Sequence, residues 1–180
     1  MEVGSLRNRA AVVTGASSGI GAAVVGALSA GGASVALAAR REDALLEVQS
    51  GLESRKGKES ILAPTDVTDR EQVRSLVSRA EEELGSVEIL VNCAGVMYYT
   101  LMKNRREEEW ERTVEVNCKG TLNCVGAVLP GMLERGRGHI VTISSDAGRK
   151  VFPASRSTRR ASSSWRRSPR ACGSRRRALG

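Results

Sequence analysis

The stretch Thr14–Gly21 reads TGASSGIG, with an apolar run on either side of it. Glycines at 15, 19 and 21 suit a turn that cradles a phosphate. Gly15 permits the tight turn, Gly19 lets the backbone approach the anion, and Gly21 lets a following helix pack close to the strand. A helix starting there points unpaired N–H groups and the positive end of its dipole at the ligand. The candidate binding residues of this turn are Gly15, Ser17, Ser18, Gly19, Ile20 and Gly21. A glycine-rich turn alone is a weak signal, and its place between a strand and a helix makes it a strong one.

A second stretch, AARRED, puts Arg40 and Arg41 after the next apolar run. Dinucleotide-binding folds that take NAD place an acidic residue near this point for the ribose hydroxyls. Two guanidinium groups suit a 2′-phosphate instead, so the expected cofactor is NADP. Further polar residues sit at the ends of later apolar runs: Asp66 with Val67 in TDVTD, Asn92 with Ala94 and Gly95 in NCAG, and Ser144 and Ser145 in TISSDAG. Asn117 lies in VNCKG. Each has a plain structural reading alone, as a strand tie, a cap or a surface residue.

The elements that must position these residues alternate. Apolar β-branched runs at AAVVTG, ASVALAA, SILAPTDV, VEILVNCAG and GHIVTISS read as strands. Between them lie helical stretches, one with Leu45, Val48 and Leu52 on one face, one opened by Asp69 as N-cap and stopped by Gly85. The fourth is long, spans roughly residues 106–136, and carries Pro130 as an expected bend. Trp110 is expected in the core and Cys118 and Cys124 in packing. Five strands alternating with helices imply a doubly wound parallel α/β sheet, with ligands at the carboxyl ends of the strands.

Composition narrows the classes. The 28 Lys and Arg exceed the 20 Asp and Glu, but residues 151–180 hold nine Arg and no acid, so residues 1–150 are near neutral. A label of nucleic-acid binding therefore does not fit the body. Four cysteines without a C-x-x-C pair and one histidine argue against a metal site and for free thiols in an intracellular, cytoplasmic protein. No apolar run is long enough to span a membrane.

Taken together, these motifs resemble the short-chain dehydrogenase/reductase family. Its T-G-x-x-x-G-x-G pattern is matched by Thr14, Gly15, Gly19 and Gly21, and its adenine-contacting pair by Asp66 and Val67. N-N-A-G appears as NCAG, with Cys93 in place of the second Asn. The helical active-site Asn matches Asn117 and the catalytic Ser matches Ser145. The resemblance implies a Rossmann-like sheet of strand order 3-2-1-4-5, hydride transfer between NADP(H) and a carbonyl or alcohol substrate, and a homo-oligomer. It covers residues 8–153, a partial NADP-binding domain expected over 1–153.

The family's chemistry also needs a Tyr about thirteen residues after the Ser and a Lys four further on. Positions 158 and 162 hold Thr158 and Ser162, and no Tyr follows Tyr99 and no Lys follows Lys150. Residues 154–180 form an Arg/Ser-rich tail, expected to be disordered. The genetic code accounts for it. A GC-rich string encoding P-G-L-A-V-Y-S-A-S-K-F-F-V-E-A-L-A, read after loss of one base from its first codon, gives P-A-S-R-S-T-R-R-A-S-S-S-W-R-R-S-P, which is Pro153 to Pro169. The repaired frame puts Tyr at 158 and Lys at 162.

A one-base frameshift near Pro153 is therefore expected. It would leave a sheet that stops at strand five, without strands six and seven or the Tyr/Lys helix, and a chain with impaired or absent catalysis. It would also remove one of the two helices through which the family assembles. The alternative is a non-enzymatic binding protein that uses the Arg-rich tail for nucleic acid or an acidic partner.

Overall fold

The structure, a computed structural model, describes residues 6–53 and 59–145. The expected tail domain, 154–180, lies outside the described residues, as does the expected frameshift site near Pro153. Strands β1 (Ala10–Thr14), β2 (Ser34–Ala39), β3 (Ser60–Pro64), β4 (Val87–Asn92) and β5 (His139–Thr142) form one parallel sheet in the order β3-β2-β1-β4-β5. Between them run α1 (Gly19–Ala30), α2 (Glu42–Glu53), α3 (Arg70–Leu84), α4 (Glu107–Thr113) and α5 (Thr121–Glu134). This is the doubly wound parallel sheet that the alternation predicts, in the order that the family resemblance implies.

All of β1 is buried, because it lies mid-sheet with helices over both faces. The pleat sends alternate residues to opposite sides. Ala11 and Val13 pack with Val25, Leu45 and Leu52, on the side of α1 and α2. Val12 packs with Val73, Leu76, Cys124 and Val128, on the side of α3 and α5. Each fully buried Val or Leu contributes about 1.5–3 kcal/mol relative to exposure. Asp69 caps α3 as expected, its carboxylate accepting from the N–H groups of Glu71 (2.9 Å) and Gln72 (3.2 Å), and Gly85 ends the helix with φ 87°.

Three expectations for the long fourth helix change. Its departure from α geometry lies at Val114–Gly120, which is π-helical, while Pro130 sits inside α5 and the helix continues to Glu134. Pro130 is tolerated because both it and Gly126, whose carbonyl it leaves without a helical donor, are exposed. Trp110 is only half-buried, since α4 contributes no buried residue. Cys118 is exposed on the outer side of the π turn, whereas Cys124 is buried as expected.

Among the described residues, those up to Met97 with Trp110–Ile143 form one compact unit, and Tyr98–Glu109 with Ser144 and Ser145 a second. Within the second, Met102–Asn104 make a 3-10 turn, the Thr100 hydroxyl donates to Glu109 (2.8 Å), and Arg105 pairs with Glu107 (3.3 Å). Among the described residues no helix is long and apolar enough to cross a membrane.

Candidate functional site

The strand order reverses between β1 and β4, where successive crossovers run to opposite sides of the sheet. Such a switch point opens a crevice at the carboxyl ends of the strands. Register places Thr14, the last residue of β1, beside Asn92, the last of β4. Just beyond them, the Thr14 hydroxyl oxygen accepts from the N–H groups of Cys93 and Ala94, both at 3.2 Å. Thr14 is buried, so these two bonds give its hydroxyl oxygen backbone donors in place of water.

Two glycines of the first turn leave no room for anything larger. Gly15 has φ +65°, and a Cβ on it would stand 2.7 Å from the Ala94 nitrogen. A Cβ on Gly21 would stand 2.1 Å from the Gly15 carbonyl oxygen. Gly19 differs: it has φ +55° and open space where a Cβ would be. The turn thus brings backbone against backbone at its base and leaves its outer rim clear.

A cleft of about 410 Å³ opens over this turn. Gly15, Ser17, Ser18, Gly19, Ile20 and Gly21 form one wall, so all six residues expected from the turn are brought together. Arg40 and Arg41, both exposed, border it from the end of β2. Asp66 and Val67 border it from the end of β3, and Ala94 and Gly95 from the end of β4. Asn92 stands apart: its amide donates across to the Thr142 hydroxyl (3.4 Å), tying β4 to β5, and its Oδ1 is buried without a hydrogen-bond partner.

The cradle is suited to an anion. Ser18, the N-cap of α1, makes no side-chain capping bond, and the first turn of α1 contains no acidic residue. Its N-terminal N–H groups and dipole therefore face the cleft without a competing carboxylate. The residues present fit a dinucleotide on these grounds.

Asn117 sits in the π turn and grips Val96, a cleft residue, at two points. Its Nδ2 donates to the Val96 carbonyl (2.9 Å) and its Oδ1 accepts from the Val96 N–H (2.8 Å). Ser145 is exposed, three residues past β5, and belongs to the second unit. Among the described residues no His, Cys, Asp and Glu side chains group so as to hold a metal ion.

Electrostatics single out Asp66. Burial pushes its carboxyl upward, but the Thr68 N–H, the Thr68 hydroxyl and the Arg112 guanidinium more than offset this, so its pKa falls below the usual 3.8. Oδ1 accepts from Thr68 N (3.0 Å) and Thr68 Oγ1 (2.8 Å), and Oδ2 from Arg112 Nη2 (3.3 Å). Cys93 lines the cleft with its thiol pKa raised by burial, and burial pushes Cys124 up to about 12, so neither offers a ready thiolate.

Cleft residues that sequence reasoning misses include Ala39, Thr65, Cys93, Val96, Arg112 and Val116. Ala39 and Thr65 are strand-end residues next to ones already singled out, so strand length would have found them. Arg112 carries no local signal, because its partner lies 46 residues away.

A Rossmann-like sheet with a glycine turn at its switch point defines the class. The chain belongs to the short-chain dehydrogenase family, whose model matches residues 9–157. This is an oxidoreductase family that binds a nicotinamide cofactor. Over 150 residues, 83% of this chain, the sequence is 62% identical to the glycine betaine reductase ATRR of Emericella nidulans. The fold is similar to a short-chain type dehydrogenase/reductase from Mycobacterium marinum, with TM-score 0.79 and 34% identity over 82% of this chain. It is also similar to a metagenomic short-chain oxidoreductase in complex with NADP, with TM-score 0.76 and 32% identity over 82% of this chain. The chain spans 12% of the length of the fungal reductase, and 60% and 67% of the two crystallised chains.

Proposed function

We propose that residues 1–153 are the NADP-binding part of a short-chain oxidoreductase that reduces a small carbonyl compound, and that the chain as translated turns over poorly or not at all. One observation carries the cofactor reading: Arg40 and Arg41 border the same cleft as the uncapped start of α1. The helix start suits a pyrophosphate, and the two guanidinium groups suit a 2′-phosphate. The likeness to an NADP-bound oxidoreductase and to a glycine betaine reductase supports the choice of NADP and the direction of reduction.

In this reading the backbone of Gly15–Gly21 holds the phosphates, Asp66 and Val67 receive the adenine end, and Ala94 and Gly95 floor the cleft. Asn92 keeps the ends of β4 and β5 together. Asn117 holds Val96 in place, and its remaining amide hydrogen is free to organise water for a proton relay. Ser145 donates a hydrogen bond to the substrate oxygen. When bound, the cofactor supplies the hydride.

The proton step is the weak point. Protonating the developing alkoxide needs a general acid, and tyrosine serves only if a nearby cation lowers its pKa from about 10. Positions 158 and 162, where the family spacing puts that pair, hold Thr158 and Ser162. The reading adopted is a one-base frameshift near Pro153, with 154–180 as its out-of-frame product. Titration of the purified chain with NADPH and NADH tests the first half: NADPH binding tighter than NADH is expected, and equal or absent binding overturns it. Sequencing transcript and genomic DNA across codons 145–180 tests the second. An uninterrupted frame through a Y-x-x-x-K region would sink the frameshift.

A further inference from the structure

Arg112 belongs to none of the motifs above, yet it borders the cleft and reaches Asp66 across 46 residues of chain. It lies near the C-terminal end of α4, and its side chain and that of Asp66 are each about one-third exposed, at 33% and 30%. The pair is therefore only partly shielded from water, at the cleft wall.

The Asp66 carboxylate is ionised and so can only accept hydrogen bonds. Oδ1 is occupied twice by Thr68, while Oδ2 has one partner, Arg112, and a lone pair to spare. An acceptor held at this rim selects a ligand edge bearing an N–H donor and disfavours one bearing a carbonyl, because two acceptors facing each other repel. Adenine presents an amine at this edge and hypoxanthine a carbonyl.

We infer that Arg112 is a positioning residue for base recognition: it aims Oδ2 of Asp66 at the exocyclic amine of the cofactor's adenine and thereby sets a preference for adenine over a 6-oxo base. The inference rests on the cofactor reading above. The loop that carries Asp66 does not depend on Arg112 for its course. Asn123 donates to the Val67 carbonyl (2.9 Å) and the Thr68 carbonyl (3.4 Å). Val67 also packs against Gly120, where an added Cβ would meet Val67 Cγ2 at 2.6 Å. Removing the Arg112 guanidinium therefore releases Oδ2 without freeing the loop.

The test measures binding of NADPH and of its hypoxanthine analogue to the full chain, to Arg112→Gln and to Arg112→Lys. The wild-type protein is expected to prefer adenine. In Arg112→Gln the adenine-to-hypoxanthine preference should fall about fivefold, as for loss of a partly exposed ion pair. Arg112→Lys should restore at least part of it, since an ammonium keeps the charge. If both ligands weaken equally in Arg112→Gln, the role is structural and the inference is overturned. An unchanged preference in Arg112→Gln overturns it as well. If the wild-type protein binds NADPH without preferring adenine, the inference fails while the cofactor reading stands. If it binds neither ligand, both fail.

Discussion

A Cβ on Gly21 would lie 2.1 Å from the carbonyl oxygen of Gly15, closer than any non-bonded carbon and oxygen can approach. The first residues of α1 are thus pressed onto the turn that precedes them. Gly21→Ala must push the helix away from the strand. The expected cost is about 1–3 kcal/mol, as for an overpacked core. A urea titration should show a lower midpoint at unchanged slope, and NADPH affinity should fall with it. An unchanged midpoint would mean that the turn relaxes freely.

Arg40 and Arg41 are exposed and border the cleft, so they can be changed with little effect on the fold. Charged hydrogen bonds are worth about 1.5–3 kcal/mol, which is about 10- to 150-fold in affinity. Arg40→Ala combined with Arg41→Ala should lower the preference for NADPH over NADH by roughly that factor and leave NADH binding nearly unchanged. The loss should shrink as salt is raised, because exposed charges are screened. Paired titrations at low and high salt check both points.

The lowered pKa of Asp66 has a consequence for acid stability. A carboxyl whose folded pKa lies below its unfolded value stabilises the fold above the unfolded value. That contribution is lost as pH falls through the folded pKa. The window therefore lies below the ordinary value of 3.8. Asp66→Asn should lower the thermal midpoint at neutral pH and flatten its dependence on pH in that acid window. Melting curves of both proteins across the window show whether the slopes differ.

Restoring one base near codon 153, and so replacing residues 154–180 with the product of the other frame, is the most decisive change. The new chain should reduce small aldehydes or ketones with NADPH. A positioned general acid is worth about 10²- to 10⁴-fold in rate. The gain in kcat over the present chain should be at least that large. Steady-state assays of the two chains side by side measure it.

The alternation of strands and helices was legible in the sequence because each strand is a short apolar run between turn residues, while the strand order was what the family resemblance implied. Asp69 and Gly85 acted as caps through bonds only a few residues long. The glycine turn was legible because Gly15 and Gly21 interact within one loop. What failed to show was long-range. The bonds from Cys93 and Ala94 to Thr14 and the pairing of Arg112 with Asp66 join residues whose separations carry no periodic signal. Pro130 misled because a proline marks a helix break only where its neighbours cannot solvate the freed carbonyl, and here they are exposed. Trp110 was misplaced because hydrophobicity gives no hint that α4 has no buried face.

β1, buried from end to end and flanked by β2 and β4, also sets the order in which the molecule comes apart. Its amides can meet solvent only after a neighbouring strand has gone, so deuterium should enter β3 and β5 first and β1 last. The glycine turn is joined directly to the end of that slowest strand. The cradle is thus anchored to the part of the sheet that outlasts its edges, and fraying at the margins leaves its footing intact.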